Sequence, residues 1–160
     1  KKYSDLARDF AAQWMVAARG GREGGTKIAF DRSDSWSQKY NLVWDRLLGF
    51  GLFPPAIAEG GIRAYRKLVK RYGLPLDDRK PYTKADWIIW SATLTWKKSD
   101  LEFFAKGLYE FLDKTPDRVP FCDWYATDSA LQMSFQARSV VGGVFLPMLQ
   151  HSALIEKYRK

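Results

Sequence analysis

Apolar residues recur every three to four positions along this chain, segment after segment, and glycine or proline cuts each run. One face of an α-helix needs that period, so most of the chain is committed to short amphipathic helices. Six segments carry the pattern. The first runs from about Ser4 to Arg19, with Tyr3, Leu6, Phe10, Trp14 and Ala17 or Ala18 on one stripe, and Gly20-Gly21 stops it. A second starts near Ser37, carries Tyr40, Val43, Trp44 and Leu47, and ends in Gly49-Phe50-Gly51. Pro54-Pro55 opens a third, which Gly73 and Pro75 close.

Thr83 is placed to cap a fourth helix, on which Trp87, Trp90 and Leu94 align, with Asp86 completing the cap. Ser99 and Glu102 form a capping-box pattern for a fifth, striped by Leu101, Phe104, Leu108, Phe111 and Leu112. A sixth spans about Gln136 to Gln150, and a short helix follows from Ser152. The exception is 119–135, where Leu131, Met133 and Phe135 alternate with polar residues and predict a short β-hairpin insertion. The expected fold is therefore all-α, a single domain over residues 1–160. Helical hairpins in series build either an α-solenoid or an arc of an α/α toroid, and the long aromatic loops favour the toroid.

An aromatic share of 16% excludes a disordered chain. The net charge of +8 raises the question of nucleic acid. However, Arg63, Arg66, Lys67, Lys70 and Arg71 interleave with Ile62, Tyr65, Leu68, Val69 and Tyr72, as the wet face of an amphipathic helix does. No nucleic-acid partner is expected. No apolar run reaches the roughly 18 to 20 residues that span a bilayer, so no membrane partner is expected either. The first residues, Lys1-Lys2-Tyr3, run straight into a helical pattern, which suggests a piece of a longer protein.

Three polar and aromatic stretches are denser than connectors need. Asp31 to Tyr40 holds Asp34, Trp36 and several serines at a helix start. Gly73 to Trp87 holds Asp77, Asp86 and Trp87, and Thr115 to Ser139 holds Asp123, Trp124, Asp128 and Arg138. Each has a structural explanation in helix caps, a charged turn or an Arg–Asp bridge. Function also gathers on loops positioned by a scaffold. Two acids whose surroundings separate their pKa values can serve as general acid and base. Asp34, Asp86 and Asp123 are the candidate catalytic acids. Arg138 would orient a carboxylate, Trp36, Trp87 and Trp124 would line the pocket, and Asp77 and Asp128 would contact substrate.

Other chemistries lack material. The single histidine, His151, lies near the C-terminal end, and the single cysteine, Cys122, has no histidine near it in sequence. No phosphate-cradling glycine motif is present. Neither metal nor cofactor is expected.

The three stretches resemble the glutaminase A family. The matching residues are DRSDSWSQKYNLVWDRLLG (Asp31 to Gly49), YGLPLDDRKPYTKADWIIWSATL (Tyr72 to Leu94) and TPDRVPFCDWYATDSALQMSFQARSVVGGVF (Thr115 to Phe145). The third departs from that family's usual Ser-Asp-Trp-Tyr followed by an acid, at Cys122 and Ala126. The resemblance implies the C-terminal part of an α/α-toroid catalytic domain, of the six-hairpin glycosidase-like kind, in an extracellular or periplasmic hydrolase. It also implies conversion of L-glutamine to L-glutamate and ammonia. A small-molecule substrate and the rest of the same toroid are then the partners. Two further readings use the same aromatic mouth. One is a glycoside-hydrolase-like toroid acting on carbohydrate, and the other is a non-catalytic helical binding module.

Overall fold

The computed structural model describes residues 2–158. The helices are α1 (Lys2–Ala17), α2 (Val43–Leu47), α3 (Pro55–Leu68), α4 (Ala85–Ala92), α5 (Lys98–Lys114) and α6 (Ser152–Tyr158). Two short strands, β1 (Tyr82–Lys84) and β2 (Trp124–Ala126), pair antiparallel with Thr83 opposite Tyr125. Tight 3₁₀ turns occupy Arg22–Gly24, Tyr40–Leu42 and Ser139–Gln150. The chain is mostly helical, as the periodicity requires, and no helix among the described residues is long and apolar enough to cross a membrane.

Helix α4 is the hub. Its Ile88, Ile89 and Ala92 are buried in one apolar cluster with Phe104, Leu108 and Phe111 of α5 and Ile62 and Tyr65 of α3. On another side it meets the 3₁₀ segment Ser139–Gln150. That segment was expected to be α-helical. Gly142-Gly143 and Pro147 lie inside it, and a proline without an N–H together with poor helix formers explains the tighter, irregular winding.

Two expected caps do not form. Thr83 lies in β1, fully buried, where its hydroxyl accepts a hydrogen bond from Gln38 Nε2, so α4 starts after Lys84. Pairing with β2 outcompetes the local cap. Helix α5 starts one residue before Ser99, and no side chain caps it. Arg66 and Thr95 instead hold Asp100 in its first turn.

In 119–135 the ladder runs from β2 to β1, and the segment returns on itself through the bridge between Tyr125 and Gln132 and the stacking of Phe135 on Trp124. Leu131, Met133 and Phe135 stay exposed. The apolar stripe of α1 also faces outward. Tyr3, Leu6 and Phe10 are exposed while Ala11 is buried, and Trp14 turns edge-on to Phe53.

Candidate functional site

The junction of β1 and α4 reads Tyr82-Thr83-Lys84-Ala85-Asp86-Trp87. Side chains alternate along a strand, so burying Thr83 turns Tyr82 and Lys84 to the opposite face. The register places Trp124 across from Lys84, and Trp124 meets Tyr82 edge to face at 5.4 Å. Helix α4 begins at once, and this carries Asp86 and Trp87 into its first turn. Tyr40 stacks flat on Trp87, with ring centroids 4.0 Å apart. The Lys84 ammonium lies between two aromatic faces, 5.4 Å from the Trp87 ring and 5.6 Å from the Trp124 ring.

Asp123 is the electrostatic centre. Its side chain is 0% exposed, and Lys84 Nζ donates to its Oδ2 at 3.1 Å. Arg138 forks onto both carboxylate oxygens, with Nε donating to Oδ1 at 3.0 Å and the second bond running to Oδ2. Burial alone would raise the Asp123 pKa. The hydrogen bonds from Arg138 and Lys84 outweigh it and hold the carboxyl below its ordinary range. Arg138 also lies over the ring of Phe135, which stacks on Trp124.

Asp86 has the opposite character. Burial raises its pKa first and the Asp123 charge raises it further, with Lys84 and nearby backbone N–H groups opposing. Its Oδ1 is buried and has no hydrogen-bond partner among the described residues; the same holds for Trp124 Nε1. Two carboxylates of one cluster thus have their pKa values pushed apart, the arrangement in which one stays ionised while the other exchanges a proton.

Gly143 closes the cluster from the 3₁₀ segment, with its carbonyl accepting from Trp90 Nε1 at 3.0 Å. A Cβ there would stand 2.8 Å from Asp86 Cβ and 3.0 Å from Trp90 Nε1. Gly143→Ala is therefore expected to lever the segment off α4, destabilising the protein by about 2 kcal/mol and admitting water to Asp86. Faster amide hydrogen exchange over Ser139–Gln150, with α5 unchanged, is the measurement that checks it.

Of the residues predicted from sequence, the structure brings together Asp86, Trp87, Asp123, Trp124 and Arg138. The others lie apart. Asp34 sits on a surface loop with its side chain 75% exposed, paired with Arg22 at 3.2 Å. Trp36 is buried in the core, 6.2 Å from the ring of Tyr65. Asp77 is buried and held by Arg79, and Asp128 is exposed. A helix start with several polar residues marks a loop but does not say which way it faces. Lys84 and Tyr40 were not anticipated, because their place depends on pairing between segments some forty residues apart. Among the described residues no three His, Cys, Asp or Glu side chains are grouped to hold a metal ion.

A family model described as the glutaminase A six helical-hairpin domain matches residues 1–148. Glutaminase A of Aspergillus oryzae is 31% identical over 148 residues, which cover 89% of this chain and 21% of that protein. Probable glutaminase/05536 of Arthroderma benhamiae is 27% identical over an alignment of 180 residues, covering 91% of this chain and 20% of that protein. The chain thus spans about a fifth of the length of these curated relatives. No solved structure matches it. The motif-bearing loops at Asp31 to Gly49, Tyr72 to Leu94 and Thr115 to Phe145 all lie inside the matched region, and the chain belongs to the glutaminase A family.

Proposed function

We propose that this chain is part of the catalytic domain of a glutaminase-like amidohydrolase that releases ammonia from the side-chain amide of L-glutamine. Its helical pairs would form an arc of an α/α toroid, completed by other hairpins of the same protein, working outside the cell or in the periplasm. The observation that carries the reading is the buried, unpaired carboxylate oxygen of Asp86, beside a lysine framed by Trp87 and Trp124.

In this reading Asp86 is the proton-handling group. Protonated, it can give its proton to the departing amide nitrogen; ionised, it can take one from the attacking water. Asp123 is a positioning residue, because Lys84 and Arg138 already occupy both its oxygens. Lys84 supplies positive charge for the substrate's carboxylate, and the flanking rings exclude water and strengthen that attraction.

Asp86→Asn in the intact protein is expected to lower ammonia release from glutamine roughly 10²- to 10⁴-fold. The same change should raise the melting temperature at neutral pH. A carboxyl whose folded pKa lies above its unfolded value binds its proton more tightly when folded, so stability rises as pH falls through the folded pKa. Ionised Asp86 is thus unfavourable at pH 7, and a neutral amide removes that penalty. Unchanged ammonia release in the variant, or release of sugar from a glycoside panel in place of ammonia, overturns the proposal.

A further inference from the structure

The turn joining α2 to α3 is built around one carboxylate. Asp45 Oδ1 accepts from the Leu52 N–H at 2.8 Å, Oδ2 accepts from the Phe53 N–H at 3.2 Å, and the Asp45 carbonyl accepts from the Phe50 N–H at 3.0 Å. The carboxylate is thus committed to the backbone, and the turn is fixed in shape. A cavity of about 390 Å³ opens beside it, lined by Leu42, Phe53, Pro54, Ile57, Ala58 and Leu94. The charged side chains on its wall are Asp45 and the next residue, Arg46. No member of the acid cluster around Asp86 and Asp123 borders it.

Asp45 and Arg46 do not pair with each other. Arg46 Nη1 donates to the Leu94 carbonyl at 3.1 Å, and the guanidinium lies 5.6 Å from the centroid of the Trp96 ring. Leu94 is itself part of the cavity wall, so this bond fixes the guanidinium at the Leu94 end. Among the described residues no carboxylate is bonded to Arg46, and its remaining N–H groups are free to meet a ligand. An apolar enclosure with one convergent charged group is the usual composition of a small-molecule site. A guanidinium is planar, always charged and weakly hydrated, which suits a carboxylate. The wall carries one positive charge, and the Asp45 carboxylate beside it would repel a second negative one. A cavity of roughly 150 Å³ accommodates benzene, so this one has room for a ring with a short side chain.

We propose that this cavity binds a small monocarboxylic acid with an apolar body, such as an arylalkanoate. The body displaces water from the apolar walls, and Arg46 receives the carboxylate at the Leu94 end. Burial of the body is non-directional, so the charge at Arg46 decides which molecules of that size are retained. The site is separate from the acid cluster, and it stands whether or not that cluster releases ammonia from glutamine.

The test is calorimetric titration of the intact protein with 3-phenylpropionate, 3-phenylpropan-1-ol and benzylmalonate, which share a phenyl body and carry one, no and two carboxylates. One molecule of 3-phenylpropionate per chain is expected, bound about 10-fold more tightly than the alcohol and more tightly than benzylmalonate. Hydrogen exchange should show protection over 42–58 and no change over Tyr82–Trp87. Arg46→Met should bring the acid down to the affinity of the alcohol, and Arg46→Lys should recover part of the difference. Ala58→Phe should fill the cavity and remove binding of acid and alcohol alike. Should these variants fold poorly, the comparison of ligands on the unaltered protein still decides. No binding, equal affinity of the acid with the alcohol or with benzylmalonate, or protection centred on Lys84 and Trp124 overturns the proposal. The readout is binding rather than ammonia release, so its failure and that of the glutaminase reading are distinguishable.

Discussion

Asp123→Asn is expected to destabilise the protein by about 3 kcal/mol, measured as a shift of the urea midpoint at constant slope. The substitution keeps the shape and removes the charge. Lys84 and Arg138 are then left facing each other across a neutral amide. Their side chains are 15% and 32% exposed, so Arg138 can turn toward water while Lys84 stays confined between rings. Removing one member of a buried ionic group is costly because the remaining charge is uncompensated, not because the intact group is highly stabilising. Lys84→Met in the Asp123→Asn background should therefore recover part of the loss. Purely additive losses would show that the two residues are not coupled.

The pH dependence has a definite sign. Asp123 has a folded pKa below its unfolded value, so its contribution is complete above the ordinary carboxylate range and is lost as pH falls through the lower folded value. The parent protein should lose that stability in acid, and Asp123→Asn should lack this component. Asp86 works in the reverse direction, with a raised pKa, so the two variants should differ most at neutral pH and converge as pH falls through the folded values of both carboxyls.

Gly107→Ala is the second large effect, at about 3 kcal/mol. A Cβ at Gly107 in α5 would stand 2.6 Å from Gly73 Cα and 2.7 Å from Gly73 N. Both neighbours are backbone atoms, so no rotamer change relieves the overlap. The turn is equally constrained: Gly73 has φ +128°, and a Cβ there would meet Ile88 Cδ1 at 2.8 Å. Tyr125 ties β2 to this crossing, with its hydroxyl donating to the Tyr72 carbonyl and its ring stacked 3.6 Å from Phe111. A displaced α5 therefore moves β2, and with it Asp123 and Trp124. The control is Gly60→Ala in α3, where the nearest atom to a new Cβ is the flexible end of Arg63 at 3.8 Å. Better helix propensity should make that change neutral or stabilising by up to about 1 kcal/mol. Equal losses at both positions would refute the packing argument.

Relatives named as glutaminases agree with the resemblance carried by the three loops. The residues within those loops divided differently. Asp86, Trp87, Asp123, Trp124 and Arg138 converge, whereas Trp36 is core and Asp34 is a surface partner of Arg22.

The sequence by itself determined the helical character of the chain, the approximate span of α3 and α5, the breaks at glycine and proline, and the family. Each is written in local spacing, and local spacing is all a linear pattern can encode. Only the tertiary structure decided that Thr83 is a strand residue and not a cap. It also decided that Lys84 faces Trp124, and that Asp86 is left with an unpaired oxygen while Asp123 is fully neutralised. Those outcomes depend on burial and on partners distant in sequence, and a carboxyl's protonation follows from exactly which charges and how little water surround it in the folded chain.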